Sequence, residues 1–177
     1  MALGVVLISG GFCDAHGESQ HFSDRCPRLS GRYKNCHAVD PNERGALLYQ
    51  YSTFRVGEET KGKVKIYHFK SSRLLDDPGI DYVIRADGQE HMTMRSRRLG
   101  FQDSYQAFCD PEGALQIHFM KQQFLGGPAS LYHDPNQDNL ATYKKRRDGD
   151  LEFQFIGGCS PNAGGFIPPP FVCAFEK

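Results

Sequence analysis

The sequence predicts an all-β protein, an antiparallel up-and-down meander of about eight to ten strands closed or nearly closed into a barrel. A two-sheet β-sandwich is the alternative. Three observations predict the class. Apolar residues alternate with polar ones in short runs instead of recurring at helical spacing. Turn chemistry separates the runs, including the Asp-Gly pairs at Asp87-Gly88 and Asp148-Gly149. Nineteen glycines and ten prolines in 177 residues leave no gap with the helical pattern that crossovers between parallel strands require.

Taken in order, the strand candidates are Leu29 to Cys36, Ala46 to Val56, Lys63 to Lys70, Ile80 to Ala86 and Glu90 to Arg97. They continue with Ser104 to Asp110, Ala114 to Lys121, Ser130 to His133, Asn139 to Arg146 and Leu151 to Ile156. The faces are cleanest in three runs. Ile80, Tyr82 and Ile84 alternate with Asp81 and Arg85; Leu115, Ile117 and Phe119 with Gln116 and His118; Leu151, Phe153 and Phe155 with Glu152 and Gln154. The Asp-Gly turns fit hairpins with positive φ at both central residues, while Asp110-Pro-Glu-Gly113 and Gly126-Gly-Pro128 supply looser reversals. A meander of this length exposes two sheet edges unless it closes, which favours the barrel over the sandwich. Phe171 to Phe175 reads as a last, short edge strand.

Four regions follow. Residues 1–17 form a signal-peptide-like stretch, with 1–11 as the shorter version, because the apolar opening has the length of a signal h-region and is too short to span a bilayer. Residues 18–28 are polar and expected to be mobile, 29–156 make the barrel, and 157–177 are a Gly/Pro-rich, disulfide-tied strap. No segment approaches the run of apolar residues that a transmembrane helix needs. The expected location is the periplasm or the exterior of the cell. With 21 basic against 21 acidic residues, fixed charge gives no long-range pull toward nucleic acid, and no nucleic-acid partner is expected.

Six cysteines sharpen the compartment. None lies within four residues of another, unlike paired zinc ligands, so disulfides are preferred and no metal site is read. Cys26 and Cys36 flank one short reversal. Cys159 and Cys173 flank the Gly/Pro-rich tail, where a bond would stabilise by about 3 kcal/mol in the chain-entropy account. Cys109 ends a strand and could meet Cys13 or a member of either pair. Cleavage after Gly17 discards Cys13 and leaves five cysteines; cleavage after Gly11 keeps six.

The segment Cys26-Pro-Arg-Leu-Ser-Gly31-Arg-Tyr33 resembles the first strand of lipocalin-like and avidin-like barrels, where a glycine two residues before an aromatic begins the sheet. Those families usually carry Trp at the position of Tyr33. The same opening, with Ala86-Asp-Gly-Gln-Glu-His91 and Tyr105-Gln-Ala-Phe-Cys109, resembles small exported proteins of unknown function in predatory and other gram-negative bacteria. This likeness implies export and a β-rich domain. It implies no activity.

Catalytic signatures are missing: no nucleophile elbow, zinc-protease motif, phosphate loop or dinucleotide fingerprint occurs. Asp134-Pro-Asn136-Gln-Asp138 begins like a calcium loop but lacks the glycine and the closing glutamate, so it reads as a turn. His68, His91, His118 and His133 fall on or beside strands without a local partner at ligand spacing. Arg95, Arg97, Arg98 and the run Lys144 to Arg147 read as solvated faces or guards against edge pairing. No catalytic residue and no cofactor is assigned.

Without tryptophan, 13 Phe and 8 Tyr must fill the interior. Tyr33, Tyr49, Tyr51, Tyr82 and Tyr105 are the candidates for lining a ligand cavity, with rings for contact and hydroxyls for orientation, and core packing is the competing role. The expected function is non-catalytic binding of a small apolar or amphipathic molecule, or of an envelope component. The alternatives are an interaction module using strand edges or the basic face toward an envelope or surface protein, and a hydrolase whose site the sequence does not reveal.

Overall fold

A computed structural model describes residues 26–43, 53–72, 80–96, 101–124, 131–133, 138–157 and 169–176. Eleven strands form one antiparallel sheet and no helix occurs among these residues. They are β1 (Gly31–Ala38), β2 (Thr53–Lys61), β3 (Val64–Ser72), β4 (Ile80–Ala86), β5 (Glu90–Ser96), β6 (Phe101–Cys109), β7 (Leu115–Phe124), β8 (Leu131–His133), β9 (Asn139–Lys145), β10 (Leu151–Gly157) and β11 (Phe171–Phe175). The all-β, up-and-down expectation holds, and one curled sheet replaces the sandwich alternative.

The strand order is β4-β3-β2-β1-β11-β10-β9-β7-β6-β5, with the short β8 added to the end of β7. The last strand pairs with the first, as in a closed barrel, yet the ring opens elsewhere. Its two edges are β4 and β5, which follow one another in the chain through residues 87–89 alone. The turn at Asp87-Gly88 therefore joins two edges and closes no ladder. Phe171–Phe175, expected at an edge, lies inside the sheet: its backbone pairs β1 on one side and β10 on the other. The Gly/Pro-rich connection before it gave no hint of this, because pairing with β1 is a contact across almost the whole chain.

Turn conformations follow glycine. Gly62, Gly88, Gly113 and Gly149 carry positive φ, while Asp87 and Asp148, which precede two of them, do not. In 110–114 and 146–150, the Gly N–H donates to the carbonyl three residues back, at 3.1 Å in both cases. Asp110 and Asp148 accept from backbone N–H groups two residues on, which explains aspartate there without any catalytic role.

Two disulfides tie the sheet, Cys26–Cys109 and Cys36–Cys173. Neither short loop suggested by the spacing is closed by its own flanking pair. Cys36 instead meets the facing strand at a bulge in β1, where Asn35 and Cys36 oppose Cys173 and Asn35 takes φ 54°. Cys26 anchors residues 26–30 under the barrel. Cys13 and Cys159 lie outside the described residues, as do the signal-peptide stretch, Tyr49, Tyr51, Asp134 to Gln137, Arg97 and Arg98.

The curl gives the sheet two unlike ends. At one end sit the tight turns 62–63, 87–89, 110–114 and 146–150. All the other connections, 39–52, 73–79, 97–100, 125–138 and 158–170, leave from the opposite end. The tight-turn end is plugged: Leu29 is fully buried, the Tyr33 and Tyr67 hydroxyls donate to the Leu29 and Pro27 carbonyls at 2.6 and 2.8 Å, and Lys65 reaches Pro27 O at 2.8 Å. Glu58 completes this plug, pairing Lys65 at 3.1 Å and accepting from Ser30 N–H at 2.6 Å.

Candidate functional site

Rings from both arms of the sheet meet in the interior. Phe54 on β2 packs against Phe153 on β10 (4.9 Å between centroids), and Phe69 on β3 against Tyr143 on β9 (4.6 Å). These four are buried, as are Leu115, Ile117, Ala141 and Phe171 around them. Burying such side chains supplies roughly 1.5–3 kcal/mol each. The middle of the barrel is thus packed by aromatic rings.

Toward the loop-bearing end the packing changes. Tyr82 on β4, Phe119 on β7 and Phe155 on β10 continue the same inward faces but are only partly buried. Tyr82 meets Phe119 edge-on at 5.9 Å and Phe69 at 5.4 Å; Phe155 stands edge-on to Tyr143 at 6.0 Å. Three rings from three strands form the floor of a cup, with the buried Phe69 and Tyr143 beneath it. A polar contact lies in this floor: the Tyr82 and Tyr143 hydroxyls are 2.9 Å apart. At the next inward positions toward the rim, Asp103 and Lys121 face each other in the β6–β7 ladder.

The sequence-derived tyrosines fall in three places. Tyr82 belongs to the cup. Tyr33 lies at the plugged end, with its ring edge-on to Phe175 (5.7 Å) and its hydroxyl pushed up to about 12 by burial, then by Glu58 and Asp150. Tyr67, in the same plug, is also raised by burial. Tyr105 closes the seam between the two edges. Its hydroxyl accepts from Arg85 N–H at 3.0 Å and donates to Val83 O at 3.3 Å, taking the backbone groups of β4 that a neighbouring strand would otherwise bond. Burial raises its pKa as well. Phe119, Phe155 and Tyr143 were not singled out as ligand-lining residues. Their signal was positional: Phe119 and Phe155 are the last apolar residues of the alternating runs Leu115, Ile117, Phe119 and Leu151, Phe153, Phe155.

Of the four histidines on or beside strands, His68, His91 and His118 keep separate partners, and the side chain of His133 lies outside the described ones. His91 Nε2 is 2.8 Å from Asp87 Oδ1, and its ring packs against Tyr105 beside the seam. His118 Nε2 is 2.9 Å from the buried Asp138 on the outer side of β7, and His68 is 3.6 Å from Glu59. Each has a carboxylate that orients it. No group of three His, Cys, Asp or Glu side chains able to hold a metal occurs among the described residues. In the basic run, Lys144 and Arg146 pair with Glu152 at 2.7 and 4.0 Å, and Lys145 covers the Phe175 ring.

No protein-family model matches the chain, and no curated protein does. Among solved structures it is similar to secretory abundant heat soluble protein 4 from Ramazzottius varieornatus. That likeness has 14% sequence identity and a TM-score of 0.46, over 84% of this chain and 95% of the other.

Proposed function

We propose that the protein is a non-catalytic binding protein whose loop-bearing barrel end takes a small apolar or amphipathic molecule. The observation that carries this reading is the cup floor of Tyr82, Phe119 and Phe155. These are large rings left partly open at one end of a barrel that is otherwise packed shut. Partly open rings lose free energy to water and recover it on contact with a ligand, at about 25 cal/mol per Å² of apolar surface covered. Two disulfides favour an oxidising location, such as the periplasm or the cell exterior. An interaction module working through strand edges has less support. Tyr105 occupies the backbone groups of the β4 edge, and β5 carries a bulge between Met92 and Met94.

Titration with Nile red, a neutral apolar fluorophore, tests the proposal. Wild-type protein should give saturable fluorescence enhancement. Phe119→Asp should weaken it at least about tenfold, since a charge would stand where an apolar contact was. Lys34→Ala, at the tight-turn end, should not change it. Absence of saturable binding, or equal binding by Phe119→Asp, overturns the reading.

A further inference from the structure

The register of the sheet sets three cations abreast on its outer face. Arg32 on β1 lies directly opposite Arg55 on β2, and Arg55 directly opposite Lys70 on β3. All three side chains are exposed, while their chain neighbours Tyr33, Phe54, Val56 and Phe69 are buried on the inner face. Like charges directly opposite one another oppose strand pairing, so the fold gains nothing from this row. We propose that the row is a docking surface for an anionic polysaccharide whose sugars carry sulfate groups, with Arg32 and Arg55 as its central contacts.

Charge and spacing select this partner. Carboxylates flank the row but engage its lysines: Lys70 pairs with Asp81 at 3.2 Å, and Lys34, the next outward residue of β1, pairs with Glu176 at 3.2 Å. Glu176 lies beside Arg32, its N–H donating to the Arg32 carbonyl at 2.8 Å. Among the described residues, no carboxylate is within ion-pair distance of the Arg32 or Arg55 guanidinium. Arg32, Lys34, Arg55 and Lys70 thus outnumber Asp81 and Glu176, and the charge in excess is carried by two guanidinium groups, whose planar forks each meet two oxygens of a sulfate at once. Gly57, the next outward residue of β2 after Arg55, adds no side chain to shield them. Neighbouring strands stand about 4.8 Å apart, close to the length of one pyranose unit, so sulfates on successive sugars meet successive strands. The charges along one strand of a DNA duplex, about 3.4 Å apart, do not keep that step.

Biolayer interferometry against immobilised heparin, at low and at physiological salt, tests the proposal. Wild-type protein should bind saturably, more weakly at the higher salt, and at least about tenfold more weakly to desulfated heparin, which keeps its carboxylates. Duplex DNA and vesicles of phosphatidylcholine with phosphatidylserine should bind less tightly than heparin. Arg32→Thr and Arg55→Thr should each weaken heparin binding about threefold, the worth of one exposed ion pair, and about tenfold together. Arg147→Thr, in the turn 146–150, removes the same charge elsewhere and should leave the affinity unchanged. Threonine suits a strand, and losing a like-charge contact should leave the urea midpoint of Arg55→Thr unchanged or higher. The wild-type comparisons need no variant. Four results overturn the proposal: no saturable binding to heparin, equal binding to desulfated heparin, DNA or vesicles bound as tightly as heparin, and Arg147→Thr as damaging as Arg55→Thr. A folded double variant with wild-type affinity overturns it as well.

Discussion

Removing a single oxygen at Tyr105 tests how the ring of strands is held at its seam. In a continuous barrel, Arg85 N–H and Val83 C=O would bond a strand beside β4. Here both go to the Tyr105 hydroxyl, at 3.0 and 3.3 Å, and β6 also receives the linker through Gly88 N–H to Ala107 O at 2.8 Å. Tyr105→Phe keeps the ring, which is 4% exposed and packs against His91, so apolar burial hardly changes. What is lost is one donor and one acceptor for two backbone groups. Each buried group left unsatisfied costs about 1–3 kcal/mol, and the solvent near an edge strand moderates this toward the lower figure. The sum is a loss of about 2 kcal/mol, or about 4–8 °C in Tm for a domain of this size. Urea unfolding measures the first quantity, and amide hydrogen exchange at Arg85 reads the local one. Exchange at Arg85 should accelerate more than at Tyr67, inside the sheet on β3. A loss under about 0.5 kcal/mol with unchanged exchange at Arg85 would refute the argument that Tyr105 substitutes for a strand.

Three further outcomes are expected. Digestion without reduction should yield linked peptides containing Cys26 with Cys109 and Cys36 with Cys173. Replacing either pair by serine should cost about 4–5 kcal/mol in the chain-entropy account, given loops of 83 and 137 residues, and a Cys26–Cys36 peptide would overturn the pairing. Gly31→Ala should destabilise by about 1–3 kcal/mol in thermal unfolding. Its φ of 153° disfavours a side chain, and a Cβ there would stand 2.5 Å from the Phe175 ring; unchanged Tm would refute this. Stability should also fall at alkaline pH. Up to the ordinary tyrosine value near 10 the hydroxyls are neutral in both states; above it the unfolded chain ionises while Tyr33, held up to about 12, stays neutral. Urea midpoints should therefore drop as pH rises from about 10 toward 12, and a flat profile across that window would contradict the burial of these hydroxyls.

Much of the strand content was legible because it is local. The alternation of Leu115, Ile117 and Phe119 with Gln116 and His118 places the first set inward, and the structure buries Leu115 and Ile117 completely. Asn139, Leu151 and Ile80 begin strands where the pattern says they do. Turn positions were legible too, since Gly88, Gly113 and Gly149 need positive φ. The conformation of those turns was less so: aspartate contributes through side-chain hydrogen bonds and not through positive φ of its own, and 87–89 joins two sheet edges where a hairpin was expected. Within the candidate site, Tyr82 was identifiable as an inward ring. Its partners Phe119, Phe155 and Tyr143 were visible only as apolar positions on separate strands, with no local signal that they share one end.

What the sequence determined by itself is therefore everything with a range of a few residues: the class, the inward faces, the turns and the aromatic character of the interior. Tertiary structure alone decided that β11 closes on β1, that the opening falls between β4 and β5, and that Cys36 joins Cys173. It also decided that Tyr82 meets Tyr143 across the barrel. The physical reason is that these depend on contacts between residues far apart in the chain, 61 positions for Tyr82 with Tyr143 and 137 for Cys36 with Cys173. Their partners are selected by the register and curl of the whole sheet, and no residue's neighbours in the chain carry that information.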